Sequence, residues 1–181
     1  MTSFFELIKR RESCRKYAQR PVEREKITAC LEAARLSPSA CNSQPWHYYV
    51  VDDVNLVSQI AGSVQGMGMN RFANDVPVFL VVTEEKVTLS GVVAKRFKGQ
   101  EYAQLDIGLS VAYFTLAAAE LGLGSCILGW YDEKMIKEIL KLPAEAKLQL
   151  VLCLGYPKDE SPRLKARKPL DEIVTWVESD K

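Results

Sequence analysis

Two short basic stretches, one near each end of the chain, have the residue types that recognise anions. The first, RRESCRKY (residues 10–17), places Arg11, Ser13 and Arg15 at alternate positions. If the backbone is extended here, alternate side chains point to one side, which puts two guanidinium groups and a hydroxyl on one face. Such a set suits a phosphate, because guanidinium forks match its oxygens. If a helix continued instead, Ser13 would leave that face, and solvated surface charge is the simpler interpretation of the octapeptide alone.

The second stretch, RLKARKP (residues 163–169), repeats this spacing with Lys165 and Arg167. Two distant pairs of cations could converge on one phosphate group. Spacing alone favours the plainer alternative, in which the two pairs are unrelated surface charges.

A third stretch, SPSACNSQPW (residues 37–46), gathers small and amide-bearing residues between a predicted helix and a predicted strand. The amides of Asn42 and Gln44 can both donate and accept hydrogen bonds, which suits the edge of a heterocycle such as a flavin pyrimidine. Residues of these types also make turns by bonding to the local backbone, and Trp46 can simply fill the core. The stretch alone leaves both interpretations open.

Few side chains in this sequence could carry out catalysis themselves. His47 is the only histidine, and its setting in PWHYYVV is typical of a strand. The five cysteines are scattered without a CxxC pair, so we expect a reducing compartment and neither a disulfide framework nor a His/Cys metal site. The stretch ELGLGSCILGW lacks the GxGxxG of a dinucleotide fold. We therefore name no catalytic side chain or metal ligand and expect a bound cofactor to supply the difficult chemistry.

These residues must be positioned by helices and strands that alternate along the chain. Ser3 and Glu6 form a capping box before a short first helix, and a second helix follows Pro21 and ends at Pro38. Further patterns predict strands at residues 47–51, 76–83, 126–130 and 148–157, helices at residues 53–60, 101–121 and 132–143, and a late amphipathic segment, LDEIVTWV. The order indicates an α/β or α+β domain whose sheet is covered by helices.

Two of these elements are unusually apolar. The helix at residues 101–121 is apolar almost all round and ends at Gly122, so it must lie in the core or in a subunit interface. The strand at residues 76–83 is a nearly continuous apolar run, so we expect it to be covered on both faces.

Length and composition limit the classes of function. A chain of 181 residues with 48% hydrophobic residues fits one domain spanning residues 1–181. Its net charge of +1 argues against nucleic acid as a partner. Its apolar segments are too short for a membrane span and its N-terminus lacks the pattern of a signal peptide, so we expect a soluble, cytoplasmic protein with no membrane partner.

Five motifs together resemble the FMN-dependent nitroreductase family. In chain order they are RRESCRKY, ARLSPSACNSQPWHYYVV, DIGLSVAYFTLAAAELGLGSCILGW, LCLGYP and RKPLDEIV. They cover nearly the whole chain, and the PSxxNxQPW loop is more specific than the basic N-terminal motif.

The resemblance implies an α+β, three-layer fold with a central mixed, mostly antiparallel sheet flanked by helices. It also implies an interlocked homodimer with two FMN sites at the interface, the apolar helix at its centre, and tails that embrace the partner. The implied enzyme is an NAD(P)H-dependent oxidoreductase: NADH or NADPH reduces FMN and leaves, and a small acceptor such as a nitroaromatic or quinone then takes the electrons by a ping-pong mechanism. A flavin-binding or flavin-consuming member without this turnover is the alternative.

The resemblance also assigns cofactor-binding residues by motif position, with Arg10 and Lys16 expected to face elsewhere. The FMN phosphate and ribityl chain would contact Arg11, Ser13, Arg15, Lys165 and Arg167. The flavin of the partner subunit would lie along Pro38, Ser39, Ala40, Asn42 and Gln44. The ring would also meet Asn70 and, near N5, the backbone of Leu128 and Gly129.

The sequence departs from the family pattern in three places. Glu12 puts a carboxylate beside the expected phosphate, where the family often has a basic or neutral polar residue. Ala73 replaces a frequent basic residue near Asn70. Between residues 84 and 101 there is little room for the substrate-covering helices of larger members, so the resemblance says least about the substrate.

Overall fold

The computed structural model describes residues 3–85, 102–159 and 163–178. Its helices are α1 (Phe4–Arg10), α2 (Arg24–Arg35), α3 (Val54–Ser63), α4 (Tyr102–Glu120) and α5 (Glu133–Leu140). Its strands are β1 (Trp46–Val51), β2 (Val78–Glu84), β3 (Gly124–Leu128) and β4 (Lys147–Gly155). The predicted capping box begins α1, because Ser3 and Glu6 each accept a hydrogen bond from the other's backbone N–H.

The four strands form an antiparallel sheet in the order β1-β2-β4-β3. β2 lies between two other strands and is buried along nearly its whole length, which confirms that both of its faces are covered. An isolated parallel bridge joins Ser13 to Ser125 of the edge strand β3, so the N-terminal segment lies against this antiparallel sheet.

Alternate residues of the strands point into two separate hydrophobic cores, one on each face of the sheet. Phe79 and Val81 of β2 pack into the core that α3 and α5 cover. Leu80 and Val82 pack into the core that α2 and α4 cover. Helices therefore lie on both faces of the sheet, and the predicted α+β fold with three layers is confirmed.

Helix α4 buries three polar side chains along with its core-facing apolar ones, and it leaves other large apolar side chains exposed. Asp106, Ser110 and Thr115 are buried, whereas Leu105 and Leu109 stay 66% and 43% exposed. The helix ends at Glu120, and Gly122, with φ +75°, follows it as the predicted glycine cap. The outer face is thus apolar in a single chain. None of the described helices is both long and apolar enough to cross a membrane.

Strand β3 starts at Gly124 and ends at Leu128, so the prediction of residues 126–130 is wrong by two positions. Glycine is a poor strand former, but here it allows close packing. A Cβ atom on Gly124 would lie 2.8 Å from the side chain of Cys14, and Gly124 pairs with Gly155 of β4. The approach of the N-terminal segment, rather than strand propensity, therefore sets where β3 begins.

Two other predicted elements are shorter than expected. Helix α5 ends at Leu140, before Pro143, because Lys141 adopts a left-handed conformation with φ 54°. The late amphipathic segment forms only a 3-10 turn at Leu170–Glu172. Its apolar side chains are mostly exposed, so a helix there has no apolar surface of the described chain to pack against. The stretch where little room was expected, residues 84–101, falls largely outside the described residues.

Candidate functional site

The N-terminal basic segment is extended, as the phosphate interpretation requires. Arg11 has φ −60° and ψ 118° directly after the last residue of α1. The following residues run beside β3, where the Cys14 N–H donates to the Ser125 carbonyl at 2.9 Å. Cys14 and Tyr17 point inward and are buried. The alternative of a continued helix is therefore wrong for this segment.

The two distant basic stretches meet in one cleft of about 350 Å³, which we call the basic cleft. The N-terminal segment contributes Arg11, Glu12, Ser13 and Arg15 to its lining. The rest of the lining comes from residues 163–167, which we call the strap and which carry Lys165 and Arg167. The four cations that share the same sequence spacing are thus neighbours in space rather than unrelated surface charges.

Not all of the cations that line the basic cleft are paired within the described part of the protein. Among the described residues, the guanidinium groups of Arg11 and Arg15 have no hydrogen-bond partner. Burial, and then the charges of Arg11 and Arg167, lower the pKa of Lys165 below its ordinary 10.5, although Glu12 opposes the shift. An anion in the cleft would stabilise all of these charges.

The strap is hydrogen-bonded to the N-terminal segment. Arg163 donates to Glu12 Oε2 from its backbone N–H at 3.0 Å and from Nε at 3.2 Å. Its Nη2 donates to the Ser13 carbonyl at 2.6 Å. Lys165 Nζ donates to two carbonyls at the end of α1, one of them at 2.7 Å. Glu12, the unexpected carboxylate of this motif, is therefore paired with Arg163.

The other two cations of the octapeptide face away from the basic cleft. Arg10 donates to the Ala119 carbonyl at 2.6 Å and forms an ion pair with Glu120 at 3.1 Å. Lys16 forms an ion pair with Asp159 at 2.9 Å. The octapeptide thus divides its charges between the cleft and ordinary surface pairs, as predicted.

Three buried thiols lie behind the N-terminal segment. Cys14, Cys126 of β3 and Cys153 of β4 are all buried, and burial raises the pKa of each. The thiols are therefore neutral near pH 7. They add no negative charge that would oppose an anion in the basic cleft.

The loop between α2 and β1, residues 37–44, has an unusual backbone. Cys41, Asn42 and Gln44 all adopt left-handed conformations, with φ of 53°, 52° and 46°. The Gln44 N–H donates to Ser39 Oγ at 3.0 Å, and the Gln44 side chain donates to Asn42 Oδ1 at 3.2 Å. The turn-making interpretation thus accounts for the Gln44 NH₂ group and for Asn42 Oδ1. Within the described chain the Asn42 NH₂ group donates no hydrogen bond and Gln44 Oε1 accepts none.

This loop begins with a hydroxyl that lacks a partner. Ser37 is buried, and no hydrogen-bond partner for its Oγ exists among the described residues. An unsatisfied buried hydroxyl costs roughly 1–3 kcal/mol. A polar group that docks against the loop could remove this cost.

Two polar residues of α4, which the sequence patterns did not single out, contact the loop and the elements on either side of it. The buried Asp106 carboxylate accepts a hydrogen bond from the Ala40 N–H at 3.1 Å. One turn later, Ser110 bonds to the Tyr48 hydroxyl at 2.7 Å and donates to the Ala34 carbonyl at 3.2 Å. Burial raises the pKa of Tyr48 to about 12, so its hydroxyl stays protonated and can donate. The available signal was the spacing of Asp106 and Ser110, two polar residues four positions apart in a largely apolar helix.

The remaining predicted ring contacts lie elsewhere in the chain. Asn70 has φ 49° and donates from Nδ2 to the Val64 carbonyl at 3.0 Å, which orients its side chain. Trp130 Nε1 donates to the Gly66 carbonyl at 3.0 Å and so ties the 66–70 loop to the segment just after β3. Leu128 is the last residue of β3, and Gly129 follows it directly before Trp130.

In a single chain these parts remain separate. The lining of the basic cleft includes neither the residues of the 37–44 loop nor Asn70, Leu128 and Gly129. The structure therefore brings together the predicted phosphate residues but does not place the predicted ring residues around the same cleft.

Comparisons with known proteins identify the architecture. The sequence model described as the nitroreductase family matches residues 8–68 and 63–156. A Thermotoga neapolitana protein named iodotyrosine deiodinase is 26% identical over 196 residues, which cover 96% of this chain and 97% of that protein. A Helicobacter acinonychis protein named oxygen-insensitive NADPH nitroreductase is 25% identical over 201 residues, which cover 95% of each.

A solved structure supports the same assignment of the fold. The structure of a Clostridium difficile protein described as an FMN-dependent nitroreductase matches with a TM-score of 0.75 at 26% identity. The match covers 96% of this chain and 98% of that one, so it includes both ends of the chain that form the basic cleft.

Proposed function

The chain belongs to the nitroreductase family, and we propose that it is an FMN-dependent oxidoreductase that takes hydride from NADH or NADPH and reduces a small acceptor such as a nitroaromatic or a quinone. The observation that carries this proposal is the basic cleft, whose lining combines Ser13 with cations from both ends of the chain, among them Arg11, Arg15, Lys165 and Arg167. A cleft of this charge suits the terminal phosphate of a flavin mononucleotide. A ping-pong order follows if the nicotinamide and the acceptor use the same site in turn.

The residues present fit FMN at both of its ends. At the phosphate, Arg11 and Arg15 have unused donors, and Ser13 adds a hydroxyl that can donate. Near the ring, the 37–44 loop offers the unpartnered Ser37 hydroxyl and the free amide atoms of Asn42 and Gln44. These groups match the phosphate and the hydrogen-bonding edge of the flavin.

FMN, when bound, would supply hydride acceptance and electron transfer. The side chains of this protein then need only to bind, orient and exclude water. The cations of the basic cleft would anchor the phosphate, and Asp106 would hold the 37–44 loop through the Ala40 N–H. A chain with a single, exposed histidine is sufficient for this division of work.

We propose a homodimer that completes the site. On the outer face of α4, Leu105, Leu109 and Tyr113 are exposed, and the tail leaves Trp176 and Val177 84% and 92% exposed. Apolar groups of this size and number favour burial against a second subunit. The separation of the basic cleft from the 37–44 loop within one chain agrees with a site to which each subunit contributes one half.

The acceptor is the least constrained part of the proposal. Reductive dehalogenation of an iodinated aromatic is a second candidate function, because a relative of comparable identity and nearly full coverage is named iodotyrosine deiodinase. The alternative without NAD(P)H-driven turnover is a protein that binds or consumes flavin. The three differ in what reduces the flavin and what reoxidises it.

An anaerobic titration of the FMN-loaded protein tests the proposal. We expect NADH or NADPH to bleach the yellow flavin, and a nitroaromatic or a quinone to restore the colour. Colour restored by iodotyrosine but by no nitroaromatic or quinone would support the second candidate. A yellow protein that neither nicotinamide bleaches would support the alternative, and a protein that takes up no FMN would overturn all three.

A further inference from the structure

We propose that Glu12 is a positioning residue for the cofactor phosphate, because its pairing with Arg163 fixes the strap that carries Lys165 and Arg167. The inference rests on the proposed FMN site. It concerns a carboxylate that lines the basic cleft and that, by its charge alone, should repel a phosphate.

The contacts of Arg163 fix both the position and the direction of the strap. Its backbone N–H and its Nε reach the same Glu12 oxygen at 3.0 and 3.2 Å, so main chain and side chain are held together. Its Nη2 reaches the Ser13 carbonyl at 2.6 Å, one residue further along the N-terminal segment. These bonds join segments about 150 positions apart in sequence, and Arg163 lies close in sequence to the other two cations of the strap, Lys165 and Arg167.

The exposure of the pair indicates which partner is the fixed one. The Glu12 side chain is 22% exposed and that of Arg163 is 60% exposed. Glu12 belongs to the segment that hydrogen bonds to β3, whereas Arg163 belongs to the strap. Glu12 therefore acts as the anchor point, and Arg163 is the group that it holds.

Two effects of opposite sign follow from the Glu12 charge. Its carboxylate repels a phosphate in the cleft, but this repulsion is reduced by the Arg163 charge beside it and screened by water. Its hydrogen bonds also place Lys165 and Arg167 where the phosphate binds. The second effect is larger, so removal of Glu12 weakens FMN binding although a negative charge is removed.

The test compares FMN with riboflavin, which has the same ring and no phosphate. We expect Glu12→Ala to weaken FMN binding roughly tenfold, equivalent to about 1.4 kcal/mol, and Glu12→Gln to weaken it less. Riboflavin affinity should stay unchanged in both variants. Glu145→Gln, in the exposed loop before β4 and outside the cleft lining, is the matched control for the loss of one carboxylate.

Measuring Glu12→Ala in the Arg163→Met variant separates the positioning effect of Glu12 from its repulsion of the phosphate. In Arg163→Met the carboxylate has lost its partner, so Glu12→Ala added to this background should strengthen FMN binding. If Glu12→Ala does not fold, the near-isosteric Glu12→Gln measured alone and in the Arg163→Met background gives the same comparison.

Three results would overturn the proposal. Stronger or unchanged FMN binding in folded Glu12→Ala would show that repulsion dominates. An equal loss of riboflavin affinity would show a general structural effect. A wild-type protein that binds no FMN would remove the site itself, and this failure is recognised before any variant is compared.

Discussion

Asp106, in the second turn of the largely apolar helix α4, accepts a hydrogen bond from the backbone N–H of Ala40 at 3.1 Å. The bond joins α4, whose outer face is exposed and apolar, to the 37–44 loop, whose backbone is left-handed at three positions. A carboxylate partner is strong enough to hold a loop in a conformation that its residues do not favour. The 37–44 loop and the proposed dimer helix are thereby linked by one buried side chain.

This link predicts that Asp106→Ala impairs both stability and cofactor binding. The variant leaves the Ala40 N–H without its charged partner, so we expect a loss of about 1.5–3 kcal/mol in the free energy of unfolding. The loosened loop should also weaken FMN and riboflavin binding alike, because the loop would contact the ring and not the phosphate. Chemical denaturation and flavin titration measure the two effects. Asp52→Ala, at an exposed position after β1, is the control, and riboflavin affinity equal to wild type would contradict the assigned contact.

The basic cleft predicts a phosphate-specific loss in the double variant Arg11→Ala/Arg15→Ala. Each charge-assisted contact contributes about 1.5–3 kcal/mol, so loss of both should lower FMN affinity by at least about a hundredfold. Riboflavin affinity should not change. Lys16→Ala is the control within the same octapeptide, because Lys16 pairs with Asp159 outside the cleft. Unchanged FMN affinity in the folded double variant would refute the phosphate assignment.

The shifted pKa of Lys165 predicts that FMN affinity falls at alkaline pH. Burial and the charges of Arg11 and Arg167 lower the pKa of Lys165 below 10.5 in the free protein. As pH rises, the folded protein therefore loses the Lys165 proton before the unfolded chain does. A phosphate binds the charged form, so affinity should decrease as pH rises through the lowered pKa. The free protein should become more stable over the same range, because the unfolded chain then binds more protons than the folded one.

A series of FMN titrations between neutral pH and pH 10.5 measures this effect. Riboflavin titrated in parallel corrects for ionisation of the ring. In Lys165→Arg the difference between FMN and riboflavin affinity should change less with pH, because an arginine keeps its charge over this range. An equal slope in Lys165→Arg would show that Lys165 is not the titrating group.

How much of this could be read from the sequence depends on the length scale of the interaction. The capping box of Ser3 and the end of α2 before Pro38 were predictable because neighbouring residues determine them. The order of apolar runs was enough to predict that β2 is covered on both faces. The start of β3 was not, because it depends on Cys14 packing against Gly124 from a segment more than a hundred residues away.

In the candidate site, too, local spacing was predictable and contacts between distant segments were not. The alternate spacing of Arg11, Ser13 and Arg15 indicated a cationic face, but only the fold could bring the strap beside it. Asp106 lies in a helix whose sequence is apolar almost all round. Its role depends on a contact with a loop 66 positions away, which the sequence pattern does not indicate. Glu12 could not be explained from sequence because its partner, Arg163, lies at the other end of the chain.

The Glu23 carboxylate predicts one component of acid stability. The Tyr156 hydroxyl donates to it at 2.5 Å, and this bond is the main cause that lowers its pKa from 4.5 to about 2, with a contribution from Arg20. A lowered carboxyl pKa stabilises the folded state above the unfolded value of 4.5, and this stabilisation is lost as pH falls towards about 2. As pH is lowered through this range, the melting temperature of the flavin-free protein should therefore fall less steeply in Glu23→Gln than in the wild type. Glu25→Gln, in the first turn of the same helix, should keep the wild-type slope.

The exposed apolar face of α4 predicts that a single charge separates the proposed dimer. Leu109 is 43% exposed at the middle of this face, so Leu109→Glu should leave the fold of one chain intact while burying a carboxylate in any interface that forms there. Sedimentation velocity should give a dimer for the wild type and a monomer for the variant. FMN affinity should fall with the dimer, because the 37–44 loop of one subunit and the basic cleft of the other would no longer meet. Val54→Glu, at an 81% exposed apolar position on the opposite layer, is the matched control and should remain dimeric with unchanged affinity. A Leu109→Glu monomer that binds FMN as tightly as the wild type would show that each chain holds the cofactor alone.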